Sequence, residues 1–523
     1  MRAPHKGRMG VKYTGINALG GGSWFNSPPN STQRKEGLRG MGDSLLVMKF
    51  GGTSVGSSER IRGVADLAAQ TAASRPTVVV VSAMSKVTDL LLDTLRLGEA
   101  GDEQAVETGI QTLSEKHVAA ARELLPADRQ KPVIDQIKAI VDGYSRIARG
   151  MLLLRERPVR AVDEAVTVGE QLSALLIAEL LQSRGVAAVR VDAAGVIATD
   201  NEFGAASPLM AETADRARAT LGPLLDSHII PIVTGFNGST LSGERTTLGR
   251  GGSDFSAAIV AAALEASELW IWTDVDGILT GDPRVVPDAR VLESVTYNEA
   301  AELAYNGAKV LHGRTLQPLV DHRIPVRIKN SFNPQAPGTL ISDRKSEGHN
   351  VGAITSFEHV TMISIEAVSL TQSGAQLMAR ALAATARARA EVLLLTRSSF
   401  RQNFCMLVRT EDVEDVVEGL REELALELAH GYVHPFEIDH SVGLLASVGE
   451  GMKGTAGLAG RLFTAISARQ INIIAIAQGS SEITIAIVVK ADRLQDAVRA
   501  VHEECNLGST GYRPLEATWE QVG

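Results

Sequence analysis

The chain has 523 residues, of which 44% are hydrophobic and 22% charged, and its formal net charge is −9. These values are ordinary for a globular protein with a sizeable core, and the length predicts about three domains. A negative net charge argues against broad phosphate contacts, and no apolar run is long enough to span a bilayer, so we expect neither a nucleic-acid partner nor a membrane segment. Two cysteines, Cys405 and Cys505, cannot form a disulfide framework, which favours a reducing, cytoplasmic location.

Residues 1–44 differ from the rest of the chain. They contain runs of glycine and proline and no acid before Glu36. A basic, acid-poor start can be a transit peptide, but this one lacks an apolar segment and an amphipathic period. We therefore expect a disordered N-terminal extension, or a true start at Met41 or Met48.

From residue 45 to about 345, short β-branched segments alternate with helical patterns. The predicted strands are 45–50, 77–82, 187–192, 229–236, 268–274 and 325–330, and helices are predicted over 57–74, 161–183 and 253–265. This alternation predicts an α/β fold with a doubly wound, mostly parallel sheet. Ligands bind beyond the carboxyl ends of such strands, so we expect the loops KFGGTS, VSAMS, TGFNG and TDVDG to converge on one site.

The C-terminal part contains an internal repeat. Residues 363–408 and 444–489 align without a gap at an offset of 81. Each copy has the pattern of a strand, a helix and two strands joined by a tight turn, followed by another helix. This predicts two βαββαβ units, over 358–435 and 440–510, before a C-terminal tail at 511–523. Two such copies favour a paired ligand-binding module.

The first site motif is KFGGTSVG. Gly51 and Gly52, followed by Thr53, allow the backbone to approach a phosphate closely, and the helix that follows Ser57 favours anions at its N-terminus. Lys49 could reach a phosphoryl group in transfer. The alternative is a tight turn beside a lysine whose charged end reaches solvent.

The second motif is TTLGRGGSDFSAA, residues 246–258. Its three glycines form an anion-friendly loop, and Arg250 offers a planar fork suited to a carboxylate. Asp254 is interpreted either as a helix N-cap or as an acid that orients a lysine or a metal-bound nucleotide. An arginine among three glycines is hard to explain by packing alone.

The third motif is WIWTDVDGILTGDPR, residues 270–284. Thr273 and Asp274, at a strand end before Gly277, can accept a ribose hydroxyl or a base edge, and Arg284 can reach phosphate. The alternative is a loop whose aspartates bond their own backbone.

Three shorter pieces supply further candidates. Ser82 lies at a strand end, Thr88 begins a helix, and Lys309 lies in AKVLH. Glu170 lies on a largely apolar helix, where a buried carboxylate needs a partner: a bound amino group, or a salt bridge within the protein. GEGMKG at 449–454 matches the dinucleotide pattern GxGxxG, but no acid follows at the required distance, so we dismiss it.

The motifs KFGGTSVG, VSAMSKVT, VTVGEQLSA, LGRGGSD, TDVDGI…GDPR and AKVLH, in this order, closely resemble aspartate kinases of the amino-acid kinase superfamily. The resemblance covers residues 46 to 510. It implies ATP- and Mg²⁺-dependent phosphorylation of the β-carboxylate of L-aspartate, which leads to lysine, threonine and methionine.

The resemblance also implies residue roles. Lys49 would stabilise the transferring phosphoryl group, Asp254 would organise that lysine, and Arg250 would hold a substrate carboxylate. Glu170 would face the substrate amino group. The remaining implied contacts are Ser82 and Thr88 for the substrate, and Thr273, Asp274, Arg284 and Lys309 for the nucleotide. Leu279 replaces a tyrosine that relatives often carry, so the packing beside adenine can differ.

The repeated units resemble ACT domains, which bind amino acids and usually mediate feedback inhibition and dimer contacts. The second copy looks closest to the threonine-sensitive type, so we expect threonine as the effector, with lysine as the alternative, and a homodimer or homotetramer. The implied effector residues are Asn472, Ile473 and Gln478. Arg397 stands where the second copy has Gln478, which puts a matching site in the first copy in doubt.

Two other functions stay open on the sequence. One is another amino-acid kinase, acting on glutamate or carbamate, which Arg250, Glu170 and the paired repeats disfavour. The other is an amino-acid sensor with a degenerate kinase domain, which the intact set of matched positions disfavours.

Overall fold

The computed structural model describes residues 44–308, 311–344, 351–368, 374–397 and 403–508. The predicted N-terminal extension up to residue 43, Lys309 and the predicted C-terminal tail lie outside the described residues. Across the described ranges, no helix combines the length and the apolar character needed to cross a membrane.

The N-terminal part, residues 44–344, is built on a mostly parallel sheet. Its strands are β1 (Leu46–Phe50), β2 (Thr77–Val81), β3 (Ala188–Val191), β4 (Ile230–Thr234), β5 (Asn237–Ser239), β6 (Arg245–Thr247), β7 (Glu268–Thr273), β8 (Ser294–Thr296), β9 (Val326–Asn330) and β10 (Thr339–Ser342). Within the described residues, eight of them form one sheet in the order β3-β4-β2-β1-β7-β9-β10-β8, and β5 pairs with β6. Among the described strands of the larger sheet, only β9 and β10 pair in antiparallel fashion.

Helices cover this sheet. They are α1 (Ser58–Ala72), α2 (Val87–Ala100), α3 (Glu103–Leu124), α4 (Ala127–Leu154), α5 (Val159–Val166), α6 (Val168–Ser183), α7 (Met210–Asp226), α8 (Gly252–Ala263), α9 (Tyr297–Tyr305) and α10 (Gly313–His322). β1 and β2 are buried along their whole length, as expected for parallel strands covered on both faces. The helix predicted over 161–183 is two helices, because the chain breaks at Thr167.

The C-terminal part, residues 351–508, contains the repeat. Its elements are β11 (Ala353–Ile365), α11 (Gly374–Arg387), β12 (Leu394–Arg397), β13 (Phe404–Arg409), α12 (Val413–Glu423), α13 (Ala425–Ala429), β14 (Glu437–Val448), α14 (Leu458–Ala468), β15 (Ala475–Gln478), β16 (Thr484–Lys490) and α15 (Leu494–Glu504). In the described part, the strand order is β12-β13-β11-β14-β16-β15. The predicted class, a mostly parallel sheet followed by two ferredoxin-like units, is confirmed.

The two repeat units share their long strands. The first part of β11, residues 353–357, pairs with 444–448 of β14, and the later part of β11 pairs with the first part of β14. Each unit thus receives a strand from the other, and the boundaries predicted at 358 and 440 both fall inside strands. The sequence conceals this continuity because β11 shifts register between Phe357 and Val360, where exposed Glu358 and His359 resemble a turn.

The loop after β7 joins the two parts. Val285 and Val286 belong to the same buried cluster as residues of α14, α15 and β16. Thr280 accepts a backbone hydrogen bond from Ile354 of β11, at 2.9 Å, and its hydroxyl lies 3.1 Å from Nε2 of His502 in α15. The loop predicted to contact a nucleotide is therefore packed into the core of the second repeat unit.

Candidate active site

A cavity of about 680 Å³ lies beyond the carboxyl ends of β1, β2 and β4. Its walls are the loops that follow these strands, parts of α5 and α6, and the glycine-rich loop before α8. Seven predicted site residues line it: Lys49, Gly52, Ser82, Thr88, Glu170, Arg250 and Asp254. Three of the four loops expected to converge therefore do so.

An ion pair crosses one wall of the cavity. Nζ of Lys49, at the end of β1, lies 2.6 Å from Oδ1 of Asp254 in the first turn of α8. Lys49 is only 7% exposed, so its charge needs a partner, and Asp254 supplies one. The interpretation of Asp254 as the N-cap is wrong: Gly251 is the N-cap, with φ of 67°. An added Cβ there would lie 2.6 Å from Cβ of His312, so only glycine fits.

Glu170 is a buried acid on the same cavity. It is 3% exposed, and its Oε1 accepts a hydrogen bond from the backbone N–H of Ala83 at 3.1 Å. Its Oε2 is buried and has no hydrogen-bond partner in the described part of the chain. Burial raises the pKa of Glu170 to about 8, against smaller lowering effects that include the nearby charge of Lys49. Among the described residues, Glu170 forms no ion pair, which removes the internal salt bridge as its explanation.

Arg250 joins the cavity to the C-terminal part. Its side chain is 71% exposed, and Nη1 donates to Oε1 of Glu411 at 2.9 Å. Glu411 lies in the short turn between β13 and α12. The guanidinium that was predicted to hold a substrate carboxylate therefore holds a protein carboxylate in this structure.

Side-chain hydrogen bonds hold the loops after β1 and β2 in place. The Ser85 hydroxyl donates to the carbonyl of Gly52 at 2.9 Å, and Nζ of Lys116 donates to the carbonyl of Ser85 at 2.7 Å. A Cβ at Gly52 would lie 3.1 Å from the carbonyl oxygen of Ala83. The glycine is thus required for loop packing, in addition to any contact with phosphate.

The predicted nucleotide contacts on the loop after β7 lie outside the lining of this cavity, whereas Lys49 and Gly52 belong to it. The N–H of Gly51 donates to the carbonyl of Trp272 at 3.2 Å, which places the glycine loop, with Thr53, against the end of β7. The adjacent Thr273 hydroxyl donates to Asp274 at 3.2 Å. Farther along the loop, an added Cβ at Gly277 would lie 2.5 Å from the hydroxyl of Thr339. The exposed Arg284 pairs with Asp282 two residues away, at 3.0 Å.

Sequence reasoning missed Asp163 of α5, which also lines the cavity. It is 1% exposed and accepts hydrogen bonds from the N–H of Gly204 at 2.8 Å and from the N–H and hydroxyl of Thr247 at 3.0 and 2.8 Å. These bonds fix two loops of the site. The signal that singled out Glu170, an acid on an apolar helix, was present here as well.

The predicted effector residues lie around the edge strand β15. Asn472 and Gln478 are exposed and Ile473 is half-buried. Arg397, their counterpart in the first unit, is exposed at the end of the other edge strand, β12.

Comparison with known proteins agrees with this geometry. Residues 44–330 match the amino acid kinase family and residues 445–505 match an ACT domain. Aspartokinase 2, chloroplastic, of Arabidopsis thaliana is 32% identical over 90% of this chain and 87% of its own length. The chain belongs to the amino acid kinase family, and within it to the aspartokinases. Bifunctional aspartokinase/homoserine dehydrogenase 1 of the same plant is 35% identical over 90% of this chain, which spans about half (52%) of that relative.

Solved aspartokinases share the fold. The structure of E. coli aspartokinase III in complex with aspartate and ADP, in the R-state, superposes with a TM-score of 0.77 at 30% identity, over 88% of this chain and 99% of that one. The same enzyme in complex with lysine and aspartate, in the T-state, superposes with a TM-score of 0.73 at 30% identity, again over 88% of this chain and 99% of that one.

The raised pKa of Glu170 makes the stability of this aspartokinase depend on pH. Because its pKa is about 8 in the folded chain and near 4.5 when unfolded, the folded state binds the proton more tightly. The stability that this gives is complete below pH 4.5 and is lost as the pH rises through 8. Relative to Glu170→Gln, we expect the free energy of unfolding of the substrate-free protein to fall by on the order of a few kcal/mol between pH 5.5 and 8.5.

Urea unfolding of both proteins at the two pH values measures this difference. Glu170→Gln has nearly the same shape and cannot ionise, so the pH dependence of all other groups cancels. An equal pH dependence in the two proteins would show that Glu170 titrates as an ordinary carboxyl.

Proposed function

We propose that this protein is an aspartate kinase, which transfers the γ-phosphoryl group of ATP to the β-carboxylate of L-aspartate. The observation that carries the proposal is a buried, unpaired carboxylate oxygen of Glu170 in the same cavity as the Lys49–Asp254 pair. The Glu170 oxygen is suited to bind an ammonium group, and the Lys49–Asp254 pair is suited to bind a phosphoryl group. The similarity to E. coli aspartokinase III, solved with aspartate and ADP, supports this choice.

The proposed chemistry needs positioning and charge rather than proton transfer. The β-carboxylate of aspartate is ionised at neutral pH and can attack phosphorus without a general base. Lys49 would offset charge on the transferring group, and Asp254 would hold its ammonium in place. The glycine loop brings backbone N–H groups to the phosphates, beside the same lysine.

The substrate would be held at both ends. Glu170 would accept the α-ammonium group, whose charge favours the ionised acid. Arg250 would exchange Glu411 for a substrate carboxylate, and the hydroxyls of Ser82 and Thr88 would complete the contacts. A sensor without catalysis would not require the Lys49–Asp254 pair to lie in the amino-acid cavity.

The nucleotide would lie along the carboxyl ends of β1 and β7. We assign it to Gly51, Gly52, Thr53, Thr273, Asp274, Gly277 and Arg284, with Lys309 as a further contact. In the described part of the chain, no three His, Cys, Asp or Glu residues come together to hold a metal ion. Mg²⁺ commonly keeps substrate phosphates and water as ligands, so we propose that it would arrive with ATP and be held mainly by the phosphates. When bound, it neutralises phosphate charge.

We further propose feedback control by an end product of this route to lysine, threonine and methionine. The ACT match over 445–505, and the lysine complex of E. coli aspartokinase III, support an amino-acid effector. Threonine is favoured over lysine by the sequence of the second unit, with Asn472, Ile473 and Gln478 as contacts. We propose a homodimer or homotetramer assembled through the ACT units, and a cytoplasmic location.

The activity is tested by trapping the product. Purified protein with ATP, Mg²⁺, L-aspartate and hydroxylamine is expected to form aspartyl hydroxamate above an aspartate-free control. Lys49→Ala is expected to lower kcat by about 10²-fold or more, because charge stabilisation of the transition state is lost. The matched variant Lys138→Ala, on the exposed face of α4, should keep wild-type turnover.

Absence of hydroxamate with wild-type protein would overturn the proposed activity. Wild-type turnover in a folded Lys49→Ala would overturn the role of Lys49 alone. Circular dichroism and thermal unfolding of the variant separate a lost lysine from a lost fold.

The bond between Arg250 and Glu411 predicts a link between substrate binding and the first repeat unit. A substrate carboxylate must displace Glu411, so Glu411→Gln is expected to lower the KM for aspartate about threefold, as for an exposed pair, and to leave the KM for ATP unchanged. Inhibition by the effector, titrated with threonine, lysine and both together, is expected to weaken in this variant.

Glu418→Gln, an exposed substitution on the following helix α12, is the control and should behave as wild type. If Glu411→Gln and Glu418→Gln give the same KM for aspartate, the contact has no part in substrate binding. Inhibition by lysine alone would exclude threonine as the effector.

A further inference from the structure

Helix α15 of the second repeat unit packs against the loop that follows β7. We propose that His502 of α15 is a positioning residue for the nucleotide, because it holds the part of that loop that lies between Gly277 and Arg284. This inference rests on the proposed function, which assigns those two residues to the nucleotide. It makes the second repeat unit a part of the nucleotide site.

His502 contacts the middle of this segment. Its Nε2 lies 3.1 Å from the hydroxyl oxygen of Thr280. An added Cβ at the next residue, Gly281, would lie 3.3 Å from Cδ2 of His502, so the glycine lies directly against the ring. His502 and Thr280 are 1% and 0% exposed, and water therefore does not compete for their hydrogen bond. The imidazole thus holds two consecutive residues of the loop in place.

The direction of this hydrogen bond follows from the neighbouring groups. The hydroxyl oxygen of Thr280 already accepts the N–H of Arg290 at 3.1 Å, so its own proton is available to Nε2 of His502. Burial lowers the pKa of His502 below its ordinary value of 6.5. Among the facing charges, Asp288 and Glu503 raise this pKa and Arg290 lowers it, and the net shift is downward. His502 is therefore neutral at neutral pH and can accept the hydroxyl proton.

Two further contacts join the loop to the same part of the second unit. Nε of Arg499, in α15, donates to the carbonyl of Val285 at 3.1 Å. Nε of Arg290, on the loop, donates to the carbonyl of Leu507 at 2.8 Å. Together with the imidazole contact, these bonds hold the loop on both sides of Arg284.

The start of the segment is held by the N-terminal part. The N–H of Ile278 donates to the hydroxyl of Thr339 in β10 at 2.8 Å. Thr280 lies between this anchor and Arg284, so the position of Arg284 depends on α15 as well. The described lining of the substrate cavity includes no residue of this loop. A change at His502 is thus expected to act on nucleotide binding and to leave aspartate binding unchanged.

Binding of MgADP, measured by isothermal titration, tests the proposal without depending on turnover. His502→Leu fills a similar space but cannot accept a hydrogen bond. We expect it to raise the Kd for MgADP and the KM for ATP about 3- to 10-fold, as for loss of one hydrogen bond. His502→Gln can place an amide near the position of Nε2 and should stay within about twofold of wild type. The KM for aspartate should stay within about twofold in both variants.

A variant of the partner residue tests whether the hydrogen bond itself is responsible. Thr280→Val keeps the shape of the side chain and removes the hydroxyl, so it should raise the Kd for MgADP by a similar factor. Because both changes break the same bond, adding His502→Leu to Thr280→Val should raise this Kd by less than about twofold more. Factors that multiply in the double variant would overturn the proposal, because they would show two independent effects.

Arg461→Gln is the matched control within the second unit. Arg461 of α14 donates to Glu504 of α15 at 2.7 Å, so this variant weakens the packing of α15 without removing a contact to the loop. It should bind MgADP as wild type does. Thermal unfolding shows whether each variant keeps its fold, and Thr280→Val gives the same comparison if His502→Leu does not fold.

The outcomes separate this inference from the proposed function. Wild-type protein that makes no aspartyl hydroxamate overturns the proposed function, and with it the role given to His502. An active enzyme whose His502→Leu and Thr280→Val variants bind MgADP as wild type does overturns only the role of His502. Equal increases in the KM values for ATP and aspartate, or weaker MgADP binding in Arg461→Gln, also overturn it, because they show a general loosening of the fold.

Discussion

The unpaired oxygen of the buried Glu170 needs a cationic partner, and the rest of the site must bring that partner to it. A carboxylate in an apolar setting is costly when charged, and burial raises the pKa of Glu170 to about 8. Among the described residues, the N–H of Ala83 donates to one of its oxygens, and the other oxygen has no hydrogen-bond partner. Glu170 is therefore mostly protonated at neutral pH when the site is empty, and it is ionised when a cation binds beside it.

The fold delivers the matching groups to the same place. Parallel strands β1, β2 and β4 end on one edge of the sheet, so Lys49, Ser82 and Phe236 meet although they are far apart in sequence. Asp254 enters from the first turn of α8, where the helix N-terminus also favours negative charge. The C-terminal part touches this arrangement twice, through Glu411 on Arg250 and through the packed loop at Thr280. The repeat units therefore contact Arg250, a proposed substrate residue, and the loop that carries the proposed nucleotide contacts Gly277 and Arg284.

Much of this was predictable from local sequence. Buried strands ending in glycine or polar loops indicated the parallel sheet, and the site motifs together with the shorter pieces named Lys49, Arg250, Asp254 and Glu170, which all line the cavity. The shared long strands were not predictable, because the polar residues Glu358 and His359 interrupt the pattern at a register shift. Nor was the partner of Arg250, which lies 161 residues away and depends on how the domains pack. Asp163 was missed although the signal that singled out Glu170, an acid among apolar residues of a helix, was present there as well.

The central claim is that Glu170 exchanges its proton for the ammonium group of the substrate. Isothermal titration of L-aspartate at pH 7, in buffers of different ionisation enthalpy, measures this exchange directly. With a pKa of about 8 in the empty site, wild-type protein should release close to one proton per aspartate bound, and Glu170→Gln should release none. Binding of aspartate to wild-type protein without proton release would contradict the account.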